Sequence, residues 1–208
     1  RANSFPVYKD DPSVLKSKLD AAKLKLVMFS SGNVEIDPAK EAATIDQHVN
    51  HAKFVKSLGG TSIQLTNSLR KKGVLPTEEE LVRLAQVMNK IGQRTKEIGI
   101  QTTYHNHMNQ FGETPEEVET LVKNMNPAYA KLLLDVAHYF QGGGNPAEAV
   151  LKYKDVIHAF HIKDVEAPVK GQESNPKSYK FVELGQGKVD LNAVFKNIDQ
   201  IKFKGWAI

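Results

Sequence analysis

Short apolar runs alternate strictly with capped amphipathic segments, and this alternation limits what the chain can fold into more than any single residue does. Strand-like runs fall at Leu24 to Phe29, Ser62 to Thr66, Ile100 to Tyr104, Lys131 to Val136, Ile157 to Ile162 and Gly205 to Ile208. The clearest helix runs from Glu78 to Ile98, where Leu81, Leu84, Ala85, Met88, Ile91, Thr95 and Ile98 recur every three or four residues. Thr77 with Glu80 three positions on reads as a capping box, and Gly99 as the stop. Similar openings at Thr114-Pro115-Glu116-Glu117 and Asn145-Pro146-Ala147-Glu148 start two more helices. Weaker patterns place helices over Pro12 to Lys23, Pro38 to Leu58 and Leu191 to Ile201. Strands joined by helices pair in parallel and are covered on both faces, which suits the unbroken apolar run Leu132-Leu133-Leu134. The expectation is a single α/β domain over residues 1–208.

Composition narrows the function classes. The 208 residues are 40% hydrophobic and 25% charged, which is globular rather than disordered. No apolar run is long enough for a membrane span or a signal-peptide core, so no membrane role is expected. A cytoplasmic location is the expectation, with the periplasm as the alternative. The absence of cysteine excludes disulfides, thiolate metal sites and a cysteine nucleophile. A net charge of +4 with interleaved signs offers no basic stripe, and Arg70-Lys71-Lys72 is too short to make one, so no nucleic-acid partner is expected.

Polar residues collect where the strands end. His105 and His107 follow one strand, Asp135 and His138 the next, and His161, Lys163 and Asp164 the third. Parallel sheets and barrels place their sites at that edge. Asp135 directly follows a buried run, so its charge must be paired, hydrogen-bonded, metal-bound or strongly shifted, unless it merely caps a loop. With His161 and Glu113 it forms a carboxylate, carboxylate and imidazole set suited to a divalent ion. By the two-residue period of a strand, His105 and His107 face one side and can line a pocket together. The His105-Asn106-His107 triplet spells an HNH motif, but nucleases of that name use a different fold. His48 and His51 lie within an amphipathic helix and read as structural. Gly142-Gly143-Gly144 before a helix could cradle a phosphate, though a flexible loop is the simpler reading.

Four ordered motifs resemble one family. Tyr104-His105-Asn106-His107, Leu134-Asp135-Val136-Ala137-His138, His161-Ile162-Lys163-Asp164 and Leu184-Gly185-Gln186-Gly187-Lys188-Val189-Asp190 are similar to the xylose isomerase-like TIM-barrel group, over about Asp11 to Ile208. The resemblance implies a (β/α)8 barrel, here incomplete: about six parallel strands, with the first two missing. It implies a divalent ion held by Glu, Asp, His and Glu, with Asp135 and His161 in the second and third places. Glu113 matches the first place in the dehydratase-like pattern, and Gln110 in another. His107, His138 and Lys163 match pocket positions that contact substrate oxygens or move protons, and Glu113 can combine ligation with base duty. The last glutamate should follow Gly205-Trp206-Ala207-Ile208, where the sequence stops.

The expected activity is metal-dependent isomerisation or epimerisation of a sugar or sugar phosphate through an enediolate, with Mn²⁺, Mg²⁺ or Co²⁺ ahead of Zn²⁺. A dehydratase acting on a keto-polyol with the same scaffold is the alternative. A degenerate barrel that binds carbohydrate without catalysis is the third reading. The partner is a small sugar or polyol, and an open sheet edge could also join like copies into a homo-oligomer. Val165 to Lys180, with Pro168, Gly171, Asn175 and Pro176, is long for a strand-to-helix connection and reads as a mobile lid or a subunit contact.

Overall fold

The computed structural model describes residues 5–71, 73–172, 175 and 178–208. Arg1, Lys72 of the basic run and Pro176 of the long connection lie outside them. Six parallel strands form one curled, open sheet in the order β1 (Met28–Asn33), β2 (Ser62–Thr66), β3 (Gln101–His105), β4 (Ala130–Asp135), β5 (Ile157–His161) and β8 (Trp206–Ala207). The result is a half-barrel of the expected type. Helices α3 (Glu41–Ser57), α4 (Glu78–Glu97), α5 (Pro115–Asn124), α7 (Pro146–Lys152) and α8 (Leu191–Gln200) connect and cover the strands, and α1 (Phe5–Tyr8) and α2 (Pro12–Ala21) precede them.

The helix ends follow the capping chemistry. Thr77 and Glu80 form the reciprocal box at the start of α4, and Thr114 and Asn145 accept backbone N–H groups of α5 and α7. Alternation along the strands divides the burial. Leu132, Leu134, Tyr104 and Phe160 join Leu84, Met88 and Ile91 of α4 in one apolar core. Each such side chain contributes about 1.5–3 kcal/mol by leaving water. Leu133 and Ala159 alternate with these residues and belong to the opposite face, which also carries His105, Asp135 and His161 at the strand ends.

Four features differ from the sequence expectation. The first strand spans Met28–Asn33 rather than Leu24 to Phe29, because pairing with β2 continues through Ser30, Ser31 and Gly32 with a register shift there. Ser31 is thereby free to meet both His48 and His51, its Oγ lying 2.6 and 2.9 Å from their Nδ1 atoms. These histidines are held in the structure as buried partners of that hydroxyl. A six-residue helix, α6 (Val136–Gln141), begins directly where β4 ends, capped by Asp135. After β5, β6 (Asp164–Val165) and β7 (Phe181–Val182) form a small antiparallel hairpin that brackets the long connection. The glycine run is a packing requirement: a side chain on Gly142 would meet the Glu113 carbonyl and one on Gly144 the Tyr139 ring.

Candidate active site

Asp135 is fully buried and occupies the centre of a polar cluster at the strand ends. Its backbone is fixed by Asn106, whose carboxamide accepts from the Asp135 N–H at 2.8 Å and donates to its carbonyl at 3.1 Å. Oδ1 accepts from the backbone N–H of His138 at 3.0 Å, so half of the carboxylate caps α6. Capping therefore occupies one oxygen and leaves the other to the cluster. Oδ2 faces the site, with His105 Nε2 at 3.0 Å, His161 Nδ1 at 3.4 Å, Lys163 Nζ at 2.7 Å and His138 Nε2 at 3.9 Å.

Burial works to raise the Asp135 pKa, but hydrogen bonds from His105 and His161 and the nearness of His138 hold it well below the usual range. Burial dominates for the imidazoles. It pushes His105 down to about 4 against the pull of Asp135, and His138 down to about 3. Asp135 is thus a carboxylate beside two rings, His105 and His138, that are uncharged near neutral pH.

The ring nitrogens are individually anchored. His138 Nδ1 lies 2.7 Å from Gln141 Oε1, and His107 Nδ1 lies 2.8 Å from the Met108 carbonyl. Oxygen acceptors require N–H at both Nδ1 atoms, which leaves Nε2 of the uncharged His138 ring as an acceptor. The two rings pack at a tilt of 39° with centroids 3.7 Å apart. They line a cleft of about 440 Å³ with Lys163, Asp164, Phe181 and Leu184. Phe181, at the base of the expected lid, presents its ring edge-on to His138 at 5.6 Å and stands 5.6 Å from Lys163 Nζ.

Asp164 anchors this wall. Its carboxylate accepts backbone N–H groups from Val165, Gly185, Gly187 and Val189 at 2.8 to 3.1 Å. The Leu184-Gly185-Gln186-Gly187 motif is thus a loop wrapped around one buried carboxylate. Gly187 must be glycine because a Cβ would collide with Asp164 Oδ1.

The structure brings Asp135, His161, His107, His138 and Lys163 together but sends Glu113 elsewhere. Glu113 Oε2 accepts from the Asn109 N–H at 2.9 Å and pairs with Arg70 Nε at 3.1 Å. Arg70 also grips Glu117, so the carboxylate chosen as first ligand is drawn into a structural network. Gln110 serves that network too, through its contacts with Asn67 and Arg70. His105 stands nearer Asp135 instead, and the sequence reading had placed it in the pocket without counting it as a ligand. The missed signal is positional, since His105, Asp135 and His161 are the last residues of three adjacent strands.

These donors fit a divalent ion. His105 Nε2, Asp135 Oδ2 and His161 Nδ1 stand 3.0, 3.1 and 3.4 Å from one another. Ligands about 2.1 Å from a shared ion would be about 3.0–3.4 Å apart in octahedral or tetrahedral arrangements. His138 Nε2 extends the set, as His105, Asp135 and His138 offer donor atoms within 4.8 Å of one another.

Strand order, half-barrel curvature and a polar cluster at the strand ends define a site of the TIM-barrel class. The chain belongs to the xylose isomerase-like TIM barrel family, whose model matches residues 1–208. It is 31% identical over 229 residues to an inosose dehydratase of Klebsiella pneumoniae (strain 342), covering 97% of this chain and 74% of that protein. Among solved structures it resembles the probable 3-DHS dehydratase AsbF from Bacillus anthracis, with TM-score 0.79 and 15% identity over 99% of this chain and 77% of that one. It also resembles the IOLI protein with a bound zinc atom, with TM-score 0.76 and 19% identity over 97% and 73% of the two chains. This is a family of enzymes, and these relatives favour dehydration over the isomerase or epimerase activity expected first. No helix among the described residues is long and apolar enough to cross a membrane.

Proposed function

We propose that this chain carries a divalent-ion-dependent dehydratase site acting on a cyclic keto-polyol of the inosose type. The observation that carries the reading is the donor set His105, Asp135 and His161 beside the closely packed imidazoles of His107 and His138. The 31% identical inosose dehydratase and the zinc in the IOLI protein support the substrate class and the ion. His105, Asp135 and His161 would hold the ion, and its chemistry there is to polarise the substrate carbonyl and acidify the adjacent carbon. Glu113 has no part in this set, because Arg70 holds its carboxylate.

The remaining residues move protons. His138, neutral near pH 7, takes the proton from the carbon next to the carbonyl through Nε2. His107, packed at a tilt against His138, offers a second hydrogen-bonding partner to a substrate hydroxyl. The Lys163 ammonium donates to the β-hydroxyl as its carbon–oxygen bond breaks. The hydroxyl leaves as water, and the electron pair of the broken C–H bond becomes the new double bond. Phe181 and Leu184 supply the apolar wall against which a ring can lie.

Product analysis tests the reading. The chain, loaded with Mn²⁺, Co²⁺ or Zn²⁺, is incubated with an inosose and followed by proton NMR and ultraviolet absorbance. The expected product has lost one water and absorbs as a conjugated or enolised ketone, with activity abolished by a chelator. An epimer or isomer of unchanged composition would favour the isomerase reading instead.

A further inference from the structure

Gln64 is a polar residue on β2 between the buried Ile63 and Leu65. It pairs in register with Thr103 of β3, two residues before His105, and so shares a face with both. Its side chain reaches diagonally to the imidazole, with Gln64 Nε2 2.8 Å from His105 Nδ1.

The hydrogen-bond pattern around His105 is determined by its partners. Nε2 has two neighbours, Asp135 Oδ2 at 3.0 Å and His161 Nδ1 at 3.1 Å; the ionised carboxylate can only accept, so its pairing places the proton on Nε2. A neutral imidazole then has an unprotonated Nδ1, and the Gln64 amide N–H donates to it. Ligation requires the opposite tautomer. If Nε2 presents its lone pair to an ion, the proton sits on Nδ1, and that buried N–H needs an acceptor. A glutamine meets both demands, because turning its carboxamide by half a revolution replaces Nε2–H with Oε1 at the same place. Glutamate would serve only the second state, and an apolar side chain neither.

We propose that Gln64 is a positioning residue that holds His105 as a neutral ring in either tautomer, Nε2–H facing Asp135 without an ion and Nδ1–H facing Gln64 with one. The inference rests on the ion-dependent reading of the same site. His105 keeps one proton in each state: the Nε2 proton departs to solvent as the ion arrives, and Nδ1 takes one up.

The test uses the whole chain labelled with ¹⁵N-histidine and Zn²⁺ alone as the probe. Long-range ¹H–¹⁵N spectra report the His105 tautomer, with the resonance assigned by its loss in His105→Gln. The unmodified chain should show Nε2–H without Zn²⁺ and Nδ1–H with it. Gln64→Met should weaken Zn²⁺ binding about 10- to 100-fold, the usual effect of removing an outer-sphere partner. Gln64→Glu should show Nδ1–H even without Zn²⁺ and bind it within about threefold of the unmodified chain or more tightly. Since Gln64→Glu keeps a polar group of the same size, it retains the test if Gln64→Met fails to fold. Nδ1–H in the ion-free unmodified chain, or unchanged Zn²⁺ affinity in Gln64→Met, would overturn the positioning role alone. Failure of the unmodified chain to bind Zn²⁺ would overturn the ion-dependent reading and the ligated half of this one.

Discussion

The ammonium of Lys163 lies 2.7 Å from Asp135 Oδ2, the oxygen that also faces His105 and His161. A divalent ion at these donors would compete with Lys163 for the carboxylate and repel it. Ion binding should therefore release the lysine toward the cleft, where it can meet substrate. Lys163→Met is expected to tighten Zn²⁺ binding several-fold while lowering kcat by about 10²- to 10⁴-fold, the range for a lost proton donor. Calorimetric titration and steady-state kinetics on one preparation give both numbers, and weaker Zn²⁺ binding in the variant would contradict this assignment.

Acid should destabilise the fold before it protonates Asp135. Burial depresses His48 and His105 to about 4 and His138 to about 3, while an unfolded histidine titrates near 6.5. Below about pH 6.5 the unfolded chain binds protons that these native residues refuse, so stability falls with pH by up to about 1.4 kcal/mol per unit for each. Asp135, also depressed in the fold, has the same sign of linkage in a lower window: its contribution is present above about pH 4 and lost as pH falls through its native value. Urea midpoints should decline from pH 6.5 toward 4.5, and less steeply in His48→Gln. A constant midpoint across that window would rule out buried neutral histidines.

Much of the fold was legible because its signals are local. The capping box at Thr77 and Glu80 and the apolar stripe of α4 give a helix from sequence alone, and β2 falls where its apolar run lies. β1 slipped by four residues because its second half, Ser30-Ser31-Gly32-Asn33, is polar, and only pairing with β2 reveals it as strand. α6 escaped because Val136, directly after the β4 run, reads as more strand, while the turn into helix is set by Asp135 capping the His138 N–H. Within the candidate site, Asp135, His161, His107, His138 and Lys163 lie together because each stands at or just past the end of a strand. Glu113 lies apart from that cluster because it pairs with Arg70, 43 positions away, and nothing local announces the pairing.

The loop around Asp164 should be intolerant of a single methyl group. In Gly187→Ala the new Cβ would strike Asp164 Oδ1 and force the four amide contacts apart. Overpacking of this kind costs about 1–3 kcal/mol. Urea unfolding should show that loss, accompanied by a raised KM because Phe181 and Leu184 shift with the loop. Stability and KM equal to those of the unmodified chain would show that the loop does not shape the cleft wall.

Phe181 is half-exposed at the cleft mouth, which is unusual for a large aromatic ring unless something packs on it. Phe181→Ala should weaken substrate binding by about 0.5–1.5 kcal/mol, a few-fold to roughly tenfold in KM, with kcat little changed. Kinetics on the inosose checks this, and a loss confined to kcat would instead place Phe181 against the reacting atoms.

The location of the ion tests the central claim most directly. Crystals grown with Zn²⁺, measured on both sides of the zinc absorption edge, should give an anomalous peak about 2.0–2.2 Å from His105 Nε2, Asp135 Oδ2 and His161 Nδ1, with Lys163 withdrawn from Asp135. A peak on Glu113, or Zn²⁺ elsewhere while Lys163 still pairs with Asp135, would contradict the assignment of this cluster as the ion centre.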